Sequence, residues 1–256
     1  TRTISRKYNH RTKLDINMLS IIKSLFKKKE QITPPVPYDF DKNNPLGDGG
    51  ERVDFTYSDN LDITKLDMYQ QNHIQRYLFA EKIINNGEDC GDFACGTGYG
   101  SVILSKKANS ILGIDLNEKV ISEITKRYSN IPNVSFENKN LLEINFENQF
   151  DTIISFETIE HFTEENIYKL LSLYNKALKL NGKLIFSTPY MQEMSENAIK
   201  MGFHLTFYIN EEKVEKWLNA SGFSLEKIHY QNYKTHTIHE QLDDKEFLIC
   251  IVRKNA

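Results

Sequence analysis

Residues 92–101 read DFACGTGYGS, an aspartate followed by three glycines at alternate positions, Gly96, Gly98 and Gly100. A strand ending at Asp92, a bare turn and then a helix is the arrangement in which a ligand sits outside the carboxyl ends of parallel strands. Glycine permits positive φ and lets a ligand approach the main chain closely. The spacing departs from the G-x-G-x-x-G of dinucleotide folds, and the Gly-Lys-Ser/Thr of a phosphate loop is absent. An acid at the mouth of the turn repels phosphate and suits a ligand carrying positive charge. A second acid points the same way. The stretch ILGIDL closes a strand at Asp115, 19 residues beyond Gly96, where a carboxylate accepts hydrogen bonds from a ribose diol.

Outward from this turn, strand and helix signals alternate. The pattern predicts strands over 89–93, 110–115, 134–137, 151–156 and 183–187, separated by helices over 100–107, 118–128 and 164–180. Before them, Leu66, Tyr69, His73, Ile74, Tyr77, Leu78 and Ile84 recur at three- and four-residue intervals, a long helix ending at Gly87. After them, a helix over 211–220 leads to SLEKIHYQNY and EFLICIVRK, two strands joined by a loop and therefore antiparallel. The expected fold is α/β: a Rossmann-like, doubly wound sheet of seven strands, mostly parallel, with an antiparallel last strand.

The chain has 256 residues, 39% of them hydrophobic, and a net charge of −3, which excludes a global field directed at nucleic acid. Its three cysteines, Cys90, Cys95 and Cys250, lack C-x-x-C spacing, so neither a disulfide framework nor a zinc knuckle is expected. No apolar run approaches the roughly 20 residues that span a bilayer, and a cytoplasmic protein is expected. Residues 1–50 form a basic extension and linker, residues 51–256 the main domain. Within the extension, INMLSIIKSLF has the period of a short amphipathic helix, suited to packing on its own domain, a membrane surface or a partner.

The acid followed by a Gly-x-Gly loop, with Asp115 beyond it, resembles the class I S-adenosylmethionine-dependent methyltransferases, over about Leu66 to Lys254. The resemblance implies that Asp92, Gly96 and Gly98 line the methionine end of the cofactor, with Ala94 where the family often has glycine. It implies that Asp115, beside Leu116, holds the ribose. Asn140 and Leu141 would sit by the adenine, and Phe156 would close the pocket. The structural alternative is a glycine turn with two helix-capping acids in a ligand-free α/β protein.

FDTIISFETIEHF ends a buried strand and delivers Glu157, Glu160 and His161, at i, i+3 and i+4, to one face of a helical turn. Methyl transfer needs an aligned acceptor and a place for its proton, and His161 is a candidate base. The three residues are also a candidate divalent-metal site for Mg or Mn. Their E-x-x-E-H pattern looks like that of small-RNA 2′-O-methyltransferases and ubiquinone-pathway O-methyltransferases, with His204 of GFHLTFY placed like a fourth ligand. Helix capping by Glu160 and packing of His161 remain the structural alternative. GERV at 50–53, YQQNHIQRYLFA and ACGTGYGS together look like methyltransferases of bacterial and viral surface-glycan genes, which places Tyr69 and Arg76 near the cofactor carboxylate or the acceptor. Tyr190, Phe203, Phe207 and Tyr208 are candidates to stack on a sugar. The expected reaction is methyl transfer from S-adenosylmethionine to a sugar hydroxyl of a glycan or nucleotide-sugar. RNA 2′-hydroxyls, quinone-type phenols and a non-catalytic cofactor-binding scaffold are the alternatives.

Overall fold

A computed structural model describes residue 46 and residues 52–255. The basic extension, its amphipathic segment and Gly50 of GERV lie outside them. After a 3-10 turn at Ile63–Lys65, the first helix, α1, runs Met68–Ile83. Asp67 starts it: its carboxylate accepts from the Gln70 N–H while the Gln70 side chain accepts from the Asp67 N–H, a reciprocal capping box. The helix stops at Ile83, short of Gly87, and Gly87 instead turns the chain (φ 82°) into the sheet.

The sheet elements are β1 (Asp89–Phe93), β2 (Ser110–Asp115), β3 (Val134–Asn138), β4 (Phe150–Ser155), β5 (Leu178–Pro189), β6 (Phe223–Gln231), β7 (Ile238–His239) and β8 (Phe247–Lys254). Helices α2 (Tyr99–Leu104), α3 (Glu118–Arg127), α4 (Glu164–Ala177), α5 (Glu196–Met201) and α6 (Glu211–Ala220) complete the elements. Strand order is β3-β2-β1-β4-β5-β8-β6-β7. The first five strands are parallel, and β8, β6 and β7 are antiparallel.

The sheet therefore has eight strands rather than seven. The additional one is β7, two residues that pair with Tyr230 and Gln231. So short a strand carries no readable alternation. The helix expected to reach Leu180 ends at Ala177, because Leu178 turns extended to pair with Phe150, and Leu180 is left exposed.

Alternation along the strands splits the core between two faces. Ile153, Leu184, Leu248 and Cys250 pack on one side with Leu170 and Tyr174 of α4 and Trp217 of α6. Their neighbours Ile154, Ile185 and Ile249 pack on the other side with Ile74 and Tyr77 of α1 and Ile103 of α2. All three cysteines are buried free thiols. No helix among the described residues is long and apolar enough to cross a membrane.

Two pairings place the variable segment beyond β5. The Met191 N–H donates to the Ile209 carbonyl at 2.8 Å, and the Tyr208 N–H to the carbonyl of Gln192 at 3.0 Å. Residues 193–207 thus leave and return through one narrow stem.

Gly100 is where α2 meets α1. A Cβ there would lie 2.1 Å from the ring of buried Tyr77. Gly100→Ala gains about 1 kcal/mol of helix propensity but overpacks the contact, at a cost of about 1–3 kcal/mol. The expected outcome is a lower midpoint in thermal denaturation.

Candidate functional site

A cavity of about 410 Å³ opens at the carboxyl ends of β1, β2 and β4, where the sheet order reverses direction. Ala94, Gly96, Asp115, Leu116, Asn140, Leu141, Phe156, Glu157 and His161 line it. The fold thus brings together residues that the sequence separates by up to 67 positions.

The turn after β1 is built on left-handed backbone. Gly98 (φ 77°) is the N-cap of α2, and a Cβ on it would meet the Phe136 ring at 2.8 Å. Ala94 also has positive φ, 64°, which explains why glycine suits that position and costs an alanine roughly 1–2 kcal/mol. The loop is tied to the end of β2 by Asp115. Its carboxylate accepts from the Gly96 N–H (3.1 Å), the Asn117 N–H (2.9 Å) and the Arg52 guanidinium (3.3 Å). Beside it Leu116 is 71% exposed, an apolar platform on the cavity rim.

Asp92 is displaced from its expected role. It is fully buried under the loop, outside the cavity wall, where its carboxylate accepts from the Ser101 hydroxyl (2.6 Å) and the Tyr77 hydroxyl (3.0 Å). Burial pushes its pKa up to about 6, against the opposing pull of those two hydrogen bonds. Gly98 is likewise absent from the wall. Asn140 reaches the cavity, but its Oδ1 accepts from the Leu142 N–H (3.0 Å) and its Nδ2 donates to Glu143 (3.1 Å), so the side chain also caps the turn at Leu141–Glu143.

At the other end of the cavity, Glu157 follows β4 with φ 47°. Ser187 Oγ–H donates to its Oε1 at 2.6 Å, and Arg76 Nη1 lies 3.5 Å from the same oxygen. This pairing turns Glu157 away from the E-x-x-E-H grouping. The residues that converge are Glu160, His161 and His204, whose ligand atoms lie within 4.8 Å of one another. Both Glu160 carboxylate oxygens are buried with no well-formed hydrogen bond, although the Thr188 hydroxyl is close by. Burial first, and the Glu157 charge second, push the Glu160 carboxyl well above the usual carboxylate range.

His161 Nδ1 meets the Phe203 carbonyl at 2.9 Å, and His204 Nδ1 meets Gln192 Oε1 at 2.5 Å. A carbonyl oxygen only accepts, so in each ring Nδ1 carries a proton toward it.

Arg76 and Tyr69 do not line the cavity. Arg76 is 1% exposed, bonded through Nε to Gln231 Oε1 (2.7 Å) and stacked 4.2 Å from the Phe247 ring centre. Tyr69 packs edge-on against Tyr233. Of the aromatics beyond β5, Phe203 reaches the cavity; Phe207 is buried, Tyr190 packs on Tyr230 and Tyr208 is exposed. Arg52, His73, Tyr99 and Phe162 line the cavity without having been singled out as site residues. His73 offers a second imidazole, kept neutral by burial and by the charge of Arg76.

Residues 91–182 match the family described as Methyltransferase domain. A probable S-adenosylmethionine-dependent methyltransferase of Mycolicibacterium smegmatis is 27% identical over 143 residues, 55% of this chain and 53% of that protein. A malonyl-[acyl-carrier protein] O-methyltransferase of Priestia megaterium is 30% identical over 54% of this chain and 49% of its own length. The matched region spans about half the length of these curated relatives. Among solved structures, the N-methyltransferase NodS of Bradyrhizobium japonicum, in complex with S-adenosyl-L-homocysteine, superposes with a TM-score of 0.57 at 15% identity, covering 78% of this chain and 94% of that one. At that identity the likeness is one of fold.

The raised pKa of Asp92 has a sign that calorimetry reads. The folded protein holds this proton more tightly than the unfolded chain, so the group's contribution is fully present below about pH 4 and is lost as pH rises through about 6. Ser101→Ala removes a hydrogen bond to the ionised form. The expected result is a pH window of falling thermal midpoint that moves upward in this variant.

Proposed function

We propose that the chain is an S-adenosylmethionine-dependent methyltransferase that methylates a hydroxyl oxygen of a sugar, in a glycan or nucleotide-sugar. The observation that carries this reading is one cavity holding Asp115 at one end and His161 at the other. Asp115 suits a ribose diol, exposed Leu116 suits a flat base, and Phe162 and Phe203 suit the apolar face of a sugar ring. The residues present thus fit the cofactor, which when bound supplies a methyl group on a positively charged sulfur. The protein holds the acceptor oxygen in line with that methyl group. The Nε2 atom of His161 would take the proton of that hydroxyl, the Phe203 carbonyl accepting from Nδ1 and so setting the tautomer this needs.

A metal-assisted version is favoured by the carboxylate of Glu160, buried without a well-formed hydrogen bond beside two imidazoles with anchored Nδ1 atoms. Glu160, His161 and His204 would hold a divalent ion, without Glu157, and the ion would supply Lewis acidity to a sugar diol. One carboxylate and two imidazoles suit manganese or zinc better than magnesium, which prefers oxygen. Sugar is preferred over RNA because the chain's net charge of −3 provides no overall attraction to a polyanion.

Calorimetric titration of S-adenosylmethionine and S-adenosylhomocysteine tests the cofactor assignment, and a panel of sugar acceptors tests the reaction. Asp115→Ala is expected to abolish measurable binding. His161→Ala is expected to keep cofactor affinity and lower turnover by about 10²–10⁴-fold. Loss of turnover on adding a chelator, restored by manganese or zinc, would select the metal-assisted version. A wild type that binds neither cofactor form would overturn the proposal.

A further inference from the structure

We infer that His73 positions the acceptor, donating from Nε2 to a second hydroxyl oxygen of the sugar while His161 faces the hydroxyl that is methylated. This rests on the sugar reading above and adds a specificity-determining residue on α1, a helix that lies before the region matched by the methyltransferase family.

His73, Arg76 and Tyr77 stand at i, i+3 and i+4 and so share one face of α1. That face is applied to the chain that leaves β4: Arg76 lies 3.5 Å from Glu157, and the Tyr77 ring packs edge-on against Phe156 at 5.0 Å. Phe156, Glu157 and His161 line the cavity, and His73 lines it with them. The polar ends of Arg76 and Tyr77 are engaged in the core, on Gln231 and Asp92. His73 is the half-buried member of the three. Its Nε2 makes no hydrogen bond with a described residue, yet it is not sealed in the core as Nδ1 of His229 is.

The Tyr99 hydroxyl fixes which nitrogen of His73 carries the proton. It lies 3.3 Å from Nδ1, its one hydrogen-bond partner among the described residues. Tyr99 is buried, its ring stacked on Phe55 at 4.2 Å and edge-on to Tyr77 at 5.4 Å. A buried phenol needs an acceptor for its O–H, so the hydroxyl donates and Nδ1 accepts. The ring is neutral: burial first, and the charge of Arg76 second, hold its pKa well below the ordinary histidine value. A neutral imidazole carries one N–H, which is then at Nε2 and enters the cavity as a donor. His161 has the reverse arrangement, with Nδ1 toward the Phe203 carbonyl. One ring suits a proton that is to be taken, the other an oxygen that is to be held still. A hydroxyl oxygen accepts such a bond and an ammonium group does not. The wall therefore favours an acceptor with several hydroxyls over an amine or an isolated alcohol.

Two measurements test this. The first needs no acceptor: NMR of the imidazole nitrogens in isotope-labelled protein, with His73→Gln identifying the His73 signals. The expected pattern at neutral pH is an uncharged ring protonated at Nε2. Tyr99→Phe, which keeps the ring that stacks on Phe55, is expected to give a mixture of tautomers. A wild-type ring protonated at Nδ1, or charged at neutral pH, would overturn the inference and leave the sugar reading standing. The second uses glucose, galactose, mannose and rhamnose as methyl glycosides and as nucleoside diphosphate derivatives, with the monodeoxy forms of whichever is turned over best. His73→Phe is expected to lower kcat/KM about 10-fold on that sugar, as for loss of one hydrogen bond, with S-adenosylmethionine affinity unchanged in calorimetry. His73→Gln, whose amide N–H reaches about as far as Nε2, should recover most of the loss. One monodeoxy form should lower the wild-type kcat/KM by a similar factor and be indifferent to His73→Phe. Equal losses in His73→Phe on the parent sugar and on every monodeoxy form still turned over, or a matching loss of S-adenosylmethionine affinity, would overturn the inference alone. No turnover of any of these sugars by the wild type would overturn the sugar reading with it.

Discussion

The carboxylate of Asp115 is the joint on which the site is assembled. Its three donors come from three separate pieces of chain: the glycine turn through Gly96, the start of α3 through Asn117, and the segment before α1 through Arg52. A charged acceptor makes each such bond stronger than a neutral one would be. Removing the side chain would leave two backbone N–H groups and a cation without it. Position 115 therefore fixes the turn's conformation in the same act by which it presents an oxygen to the cavity. The binding surface and the scaffold are one interaction at this point.

A second polar network sets the opposite wall. Arg76 and Gln231 are buried and bonded to each other, and Gln231 Nε2 also donates to the Asn72 carbonyl at 3.0 Å, locking α1 onto β6. Burying a guanidinium is costly unless opposite charge is near, and the carboxylate 3.5 Å away is Glu157, held in left-handed backbone at the cavity wall. The countercharge of the core thus dictates where an acid of the site points. That is the physical reason the E-x-x-E-H pattern resolves into Glu160, His161 and His204, with Glu157 apart.

Much of this architecture was legible from local pattern. Strands 89–93 and 110–115 and helix 211–220 fall at the expected residues, because an acid, a glycine turn or an Asn cap bounds each of them. The presence of Asp115, Phe156 and His161 in one crevice followed from the rule that residues closing parallel strands share an edge of the sheet. Side-chain direction was not legible in the same way. Whether Asp92 faces the cavity or the core depends on hydroxyls of Tyr77 and Ser101, which no spacing rule connects to it. Arg52 lay further out of reach, 63 residues from its partner in a segment without periodicity. The two-residue β7 is too short to carry any pattern.

The stem at Met191–Ile209 and Gln192–Tyr208 has an evolutionary consequence. At the far end of the same excursion, the Leu205 and Thr206 N–H groups both donate to the Glu160 carbonyl, at 2.8 and 3.1 Å. The stretch from 193 to 202, which carries α5, is therefore an excursion clamped on both sides, next to the turn that carries His161. Its length and composition can change without moving the imidazole of His204 or the floor beneath it. Exchange of this stretch would therefore reshape one rim of the cavity while the half of the molecule that carries Asp115 and the glycine turn stays as it is.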